Sequence, residues 1–338
     1  MRKLALAAVV AVVSATFLLI VGPQRISMAD TATGDPELST HLREHPEAGF
    51  NNLTAFTLDQ GTATFAGLGA DEYTEVEIGS VTKMFTAEIA HQLVEEGKIR
   101  LDTTMGEVLE VGDSPVSDVT VRELLDHTSG LPRQAKAMTF SSAVFSITGS
   151  NPYAGVSTED IVDSATESEL ADRGTESYSN LGYALLGHAL ETAADTPYEQ
   201  LLHERILKPA GMKETYLMTP GSVPDDAPRG LTAAGREAEP WEMEGCPAAA
   251  GAVRSTAQDM AAFTAWFMEH GDTSYGWQKN DDGKGFWTTA VPLAIPQCSS
   301  LTRRKIALPS QIMTRQRELK DSQKRFSRGF RKPQCSSH

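Results

Sequence analysis

Ser80 and Lys83 stand one helical turn apart in the stretch GSVTKMFTAEIAHQLVEEGK, residues 79–98. Met84, Phe85, Ile89 and Leu93 recur at three- and four-residue spacing, so the segment reads as a buried helix with Gly97 as its C-terminal stop. Ser80 then sits at the helix start, with Lys83 on the same side. A serine hydroxyl is a weak nucleophile until a base takes its proton. A desolvated lysine can be that base, because burial lowers the ammonium pKa. The first N–H groups of such a helix also suit a developing oxyanion. Alone the pair is weak evidence: a Ser-x-x-Lys match arises by chance about once in a chain of this length, and an N-cap serine followed by a surface lysine explains it equally well.

A second cluster, Tyr178-Ser179-Asn180, opens GTESYSNLGYALLGHALE. It is the chain's only Tyr-x-Asn, just as Ser80 to Lys83 is its only Ser-x-x-Lys. A phenol held near a lysine ammonium can have its pKa lowered and exchange protons with the nucleophile. An asparagine amide offers both a donor and an acceptor to a substrate amide. The plain alternative is a packed tyrosine followed by a helix-capping asparagine.

The elements that must position these residues are partly legible. Leu53 to Leu58 and Ala63 to Leu68, separated by Asp59-Gln60-Gly61, read as a β-hairpin. Capping boxes at Thr120 to Glu123, Thr196 to Glu199 and Ser255 to Gln258 open helices expected to stop at Gly130, Pro209 and Gly271. A hairpin, a long helical stretch and a final return to strands together indicate an α+β fold.

With both clusters in order, the chain resembles the serine β-lactamase and D-alanyl-D-alanine carboxypeptidase superfamily, specifically the branch of class C β-lactamases, related carboxypeptidases and esterases. The similarity is carried by Ser80-Val81-Thr82-Lys83, Tyr178-Ser179-Asn180, LLDHTSGLP (124–132), ILKPAGM (206–212) and PAAAGAVRSTAQDMAAF (247–263), and covers roughly residues 45–287. The resemblance implies an antiparallel sheet built from both chain ends, flanked by helices, plus an all-helical region. It implies Ser80 as acylating nucleophile, Lys83 and Tyr178 as sharers of its proton, Asn180 as the group that holds the substrate's amide, and the Ser80 N–H as one oxyanion donor. His127 is read as a structural hydrogen-bonding residue rather than a catalyst.

This branch uses a third motif, His-x-Gly or Lys-Thr-Gly, on the strand that forms the far wall of the cleft. Here Trp287 is followed instead by TTAVPLAIPQC. Adding one base after codon 287 and regrouping the triplets permits His-Asn-Gly-Gly-Thr-Ala-Gly-Tyr-Ser-Ala-Val, which is the missing motif in its expected place. A chance fit at the specified positions is on the order of one in ten thousand, and roughly tenfold less exacting once the choice of frames is counted. The expectation is a one-base shift near codon 288, with residues 288–338 an out-of-frame tail and the C-terminal strands lost. The division of the chain is then 1–29 signal or anchor, 30–287 hydrolase domain and 288–338 anomalous tail.

Composition agrees with that division. The tail holds 11 Lys and Arg against two acids, a net of +9, within a chain of 338 residues and net charge −15. The other 287 residues therefore carry −24. So acidic a body repels phosphate, and no nucleic-acid partner is expected. Arg2 and Lys3 before the apolar run Leu4 to Gly22 read as an export signal or membrane anchor, so the domain is expected outside the cytoplasmic membrane, touching it only through this segment. Cys246 is the one cysteine of the body, with Cys298 and Cys335 in the tail, and no His/Cys cluster suggests zinc. No cofactor is expected. The expected substrate is a small peptide, β-lactam or ester. The alternative reading is a non-catalytic binding protein or impaired remnant that keeps two motifs and lacks the third.

Overall fold

The computed structural model describes residues 26–44, 52–232, 234–279, 285–290, 297–302 and 305–311. The apolar leader and the chain beyond 311 lie outside these residues. A strand, Ala32–Gly34 (β1), and a helix, Pro36–Glu44 (α1), precede the expected hairpin of Leu53–Asp59 (β2) and Thr62–Leu68 (β3). Its two-residue turn sets Gln60 at φ 48° and Gly61 at φ 81°. Positive φ at both central positions matches the twist of the flanking strands, and glycine adopts it without steric penalty.

Val76–Glu77 (β4) leads into the helix Thr82–Glu95 (α2), after which Gly97 reverses the chain at φ 71°. From Thr82 to Ala90 every residue of α2 is buried, so this is a central helix rather than a one-faced surface one. Met105–Val108 (α3), Val121–Leu125 (α4), Met138–Thr148 (α5) and Thr158–Thr166 (α6) make the helical region, and Asn180–Ala194 (α7) returns the chain to α2. The box at Thr120 forms as expected: Glu123 N donates to Thr120 Oγ1 at 3.3 Å and Thr120 N to Glu123 Oε2 at 2.8 Å.

The box expected at Thr196 does not form. Pro197 caps Tyr198–Leu202 (α8), and Tyr198 N donates instead to Glu191 Oε1 of α7 at 2.8 Å. Nor does Pro209 end the helix. A π-helical turn over His203–Leu207 leads into Lys208–Ala210 (α9), which Gly211 closes at φ 71°. Pro209 thus falls at the start of a fresh α segment, where its missing N–H is not required. After Tyr216–Leu217 (β5) and Val253–Ser255 (β6) comes Ala257–His270 (α10). Its cap is Thr256, which accepts from Asp259 N at 3.1 Å, one residue later than expected.

Gln278–Lys279 (β7), Gly285–Ala290 (β8), Gln297–Thr302 (β9) and Lys305–Gln311 (β10) complete a seven-stranded antiparallel sheet in the order β1-β3-β2-β10-β9-β8-β7. Ile306 lies opposite Leu58 and Gln311 opposite Leu53, so the sheet is built from both ends of the fold. This corrects the expectation that the C-terminal strands are lost. Ladders are made by backbone groups, and segments such as Trp287-Thr288-Thr289 and Lys305-Ile306-Ala307-Leu308 contain residues that suit a pleated surface. Pro309 is the misfit: it stands opposite Ala55 in a strand flanked on both sides, with no N–H to give a ladder.

A second sheet, β4-β6-β5, sets Glu77 opposite Arg254 and Tyr216 opposite the same arginine. Helix α10 packs on β2 and β3, and the Phe85 ring of α2 meets Phe263 of α10 edge-on at 4.5 Å. Helix α2 is thereby clamped between the sheet side and α7, and its N-terminus is where the site lies.

Candidate active site

Ser80 lies in a single 3₁₀ turn, Gly79–Val81, between β4 and α2. The turn is held from below by backbone and side-chain bonds to β6: Ile78 N donates to Val253 O at 3.0 Å, and Val253 N to Thr82 Oγ1 at 3.1 Å. Gly79 takes φ 50°, a conformation that few residues other than glycine adopt cheaply. Lys83 follows one turn on, 2% exposed, with Nζ 3.2 Å from Ser80 Oγ.

Helix α7 brings the second cluster. Ser179 is its cap, accepting from Gly182 N at 2.8 Å, so Tyr178 precedes the helix and Asn180 begins it. Tyr178 donates its hydroxyl proton to Ser80 Oγ at 2.5 Å, and Lys83 Nζ donates to Asn180 Oδ1 at 2.8 Å. All four residues singled out from sequence therefore meet at one point. The meeting is fixed by the HTSGLPR segment: Ser179 N donates to His127 Nδ1 (3.1 Å), Ser179 Oγ to Pro132 O (2.7 Å) and Asn180 N to Arg133 O (2.9 Å). His127 stands between the rings of Tyr178 and Tyr183, with centroids at 4.6 and 4.9 Å. Burial, with Lys83 and Arg133 adding to it, lowers its pKa to about 3, so it is a neutral acceptor.

Electrostatics sort the two candidate proton carriers. Burial, reinforced by the Arg133 charge, holds Lys83 well below the usual lysine range. Nζ donates to three oxygens, Asn180 Oδ1, Ala250 O at 2.5 Å and Ser80 Oγ; once a proton is lost, two N–H groups suffice for the two carbonyls and the lone pair can face Ser80. Burial pushes Tyr178 up to about 12, outweighing the Ser80 bond and the Arg133 charge that pull the other way. This corrects the expectation of a phenol with a lowered pKa: burial penalises the phenolate more than the neighbouring hydrogen bond and charge favour it.

Several lining groups escaped the sequence reading. Ala250 O comes from a 3₁₀ turn, Cys246–Ala250, and a backbone acceptor leaves no side-chain signal, although its segment was among those carrying the resemblance. Arg133, Gln134, Tyr153, Trp241 and Met243 line the pocket beside Ser80 and Asn180, and arrive from loops and from α-helical flanks without periodicity. Gln134 Oε1 is buried with no protein partner. On the other side β8 and β9 pack against the turn that carries Ser80. This is the position of the expected third wall, and the strand there reads Gly285-Phe286-Trp287-Thr288-Thr289-Ala290. Among the described residues no group of three or more His, Cys, Asp or Glu could hold a metal.

The sheet with its central helix and helical annex is the fold of the penicillin-binding proteins and class C β-lactamases. The beta-lactamase/D-alanine carboxypeptidase from Pseudomonas syringae superposes with a TM-score of 0.65 at 15% identity, covering 88% of this chain and 98% of that one. A D-stereospecific amidohydrolase from Streptomyces sp. gives 0.62 at 22% identity, covering 79% and 90%. The chain belongs to the beta-lactamase family, whose model matches residues 28–295. Among curated relatives, the D-alanyl-D-alanine-carboxypeptidase/endopeptidase AmpH of Escherichia coli K12 is 30% identical over 199 residues, 57% of this chain and 49% of that protein. Penicillin-binding protein 4 of Amycolatopsis lactamdurans is 29% identical over 244 residues, 65% and 57% respectively. The chain thus spans about half the length of these curated relatives. The family is one of serine hydrolases of the carboxypeptidase and β-lactamase type.

Proposed function

We propose that this is an exported serine hydrolase that acylates Ser80 with a peptide, β-lactam or ester carbonyl. The observation that carries the reading is the convergence of Lys83 Nζ and Tyr178 OH on Ser80 Oγ, at 3.2 and 2.5 Å. Neutral Lys83 takes the Ser80 proton as Oγ attacks the carbonyl carbon, while the Tyr178 hydrogen bond steadies the alkoxide. The Ser80 N–H receives the oxyanion. As the tetrahedral adduct collapses, Tyr178 gives its proton to the departing nitrogen or oxygen, and the Lys83 ammonium replaces it. Water then repeats the cycle on the ester. Asn180, its Oδ1 committed to Lys83, offers Nδ2 to the acyl amide. Export rests on the basic and apolar leader, and it would put the domain where cell-wall peptides and β-lactams are met.

A second reading is favoured by β8, where Thr288-Thr289-Ala290 stands in place of His-x-Gly or Lys-Thr-Gly. On this reading the chain as written is a catalytically impaired remnant, its frame shifted near codon 288. Incubation with a labelled penicillin and with an activated acyl ester, followed by peptide mapping, tests the first reading: label on Ser80 supports it, and none from either probe overturns it. Resequencing codons 285–300 tests the second. An undisturbed frame whose shifted reading meets stop codons at once removes the shift.

A further inference from the structure

Arg133 is the charged lining residue that neither gives nor takes a proton in the acylation chemistry. Its side chain is exposed at the pocket rim, and its guanidinium carbon lies 4.9 Å from the centre of the Tyr178 ring. Among the described residues it makes no ion pair with any carboxylate, although the other 287 residues outside the tail carry −24. Neighbouring Lys136, by contrast, is paired with Glu167 at 2.9 Å. An arginine held over an aromatic face without a carboxylate partner keeps its N–H donors for a ligand.

The position of this cation decides what it would read. Arg133 O anchors Asn180 N, and both residues line the pocket with Gln134, Tyr153 and Trp241, on the helical side of Ser80. The strands β8 and β9 flank Ser80 on the other side. A group bonded to Asn180 on the helical side of the pocket would therefore come near Arg133.

We infer that Arg133 makes this pocket selective for acyl groups that carry a carboxylate, which its guanidinium binds as Ser80 is acylated. The inference rests on the Ser80 reading above, so its test separates the two. Such a pair is partly exposed, so the preference is worth about five- to tenfold in affinity and shrinks as salt rises. Arginine's planar fork, rather than charge alone, sets the geometry, so lysine keeps only part of it.

Boronic acids test this without relying on turnover. Boron accepts the Ser80 Oγ lone pair, the hydroxyl proton passes to Lys83, and no group leaves. The full chain is titrated calorimetrically with 4-boronobutanoic acid and with butylboronic acid, which differ in a terminal carboxylate against a methyl. The expected result is tighter binding of the carboxylate by about five- to tenfold, a ratio that falls toward one in Arg133→Gln and is partly kept in Arg133→Lys. Equal affinity of wild type for both boronates overturns the carboxylate site and leaves Ser80 standing. A ratio kept in a folded Arg133→Gln overturns it too. Binding of neither boronate overturns both readings together.

Discussion

Gly187 of α7 faces Ala249 so closely that a Cβ at position 187 would stand 2.4 Å from the Ala249 Cβ. No real pair of methyl groups comes that near, so the helix approaches the Cys246–Ala250 turn through the one residue type that allows it. The turn is also tied to α2, since Thr86 Oγ1 donates to Ala249 O at 2.7 Å, one residue before the carbonyl that receives Lys83. Gly187→Ala should push this turn off the helix. Overpacking of this kind costs about 1–3 kcal/mol, and it should displace Ala250 O from Lys83 as well. The expected outcome is a lower urea midpoint together with slower labelling of Ser80. A slower label with unchanged stability, or the reverse, would separate the two roles given to the turn.

On the proposed chemistry, Lys83 should give the labelling reaction its pH dependence. Its pKa is held well below 10.5 by burial first and by Arg133 second. The neutral amine is the competent form, so the Ser80 acylation rate should fall as pH drops through the depressed lysine pKa and level off above it. Removing the nearby positive charge with Arg133→Gln relieves part of the depression. The acid limb should then move to higher pH, while Lys83→Met should leave no limb to measure. Stopped labelling at a series of pH values reads all three.

What the sequence disclosed here was side-chain chemistry at fixed spacing. Ser80, Lys83, Tyr178 and Asn180 were legible because each function requires its own side chain, and α2 was legible because its apolar positions recur. Ala250 O was not, since any residue supplies a carbonyl, and Arg133 was not, since a rim cation resembles any surface arginine. The failed box at Thr196 has a similar cause: the sequence offered Glu199 as a partner, but α7 had already placed Glu191 beside Tyr198 N. The lowered phenol pKa was misjudged because local charge was counted and burial was not.

Glu77 provides a test in stability rather than activity. It lies on β4 opposite Arg254, a fully buried arginine that bonds Glu75 Oε2 at 3.0 Å and Pro228 O at 2.7 Å but lies 3.9 Å from Glu77. At that distance attraction is outweighed by burial, and the Glu77 pKa rises from 4.5 to about 7. A carboxyl with a raised folded pKa favours the folded state while both forms are protonated. Stability should therefore fall as pH climbs from about 4.5 to about 7, by a few kcal/mol at most, and then level. Glu77→Gln keeps an acceptor for the Trp241 N–H and should flatten that slope, raising stability at pH 8. Urea midpoints across this range that stay parallel in the two proteins would refute the assignment.

On the proposed acylation of Ser80, the third wall should set the rate. As written, β8 and β9 give the site a backbone neighbour, but Thr288 to Ala290 supply neither His-x-Gly nor Lys-Thr-Gly, and Pro309 weakens the ladder that ties β10 to β2. A gene with one base added after codon 287 should encode His-Asn-Gly-Gly-Thr-Ala-Gly-Tyr-Ser from position 288 onward. The restored strand would bring the second oxyanion donor, and loss of one such donor elsewhere lowers rates roughly a hundred- to thousandfold. The restored protein should therefore label at Ser80 at least about a hundredfold faster than the chain as written. Equal labelling rates for the two proteins would mean that the far wall contributes nothing here, and the shifted frame would lose its functional argument.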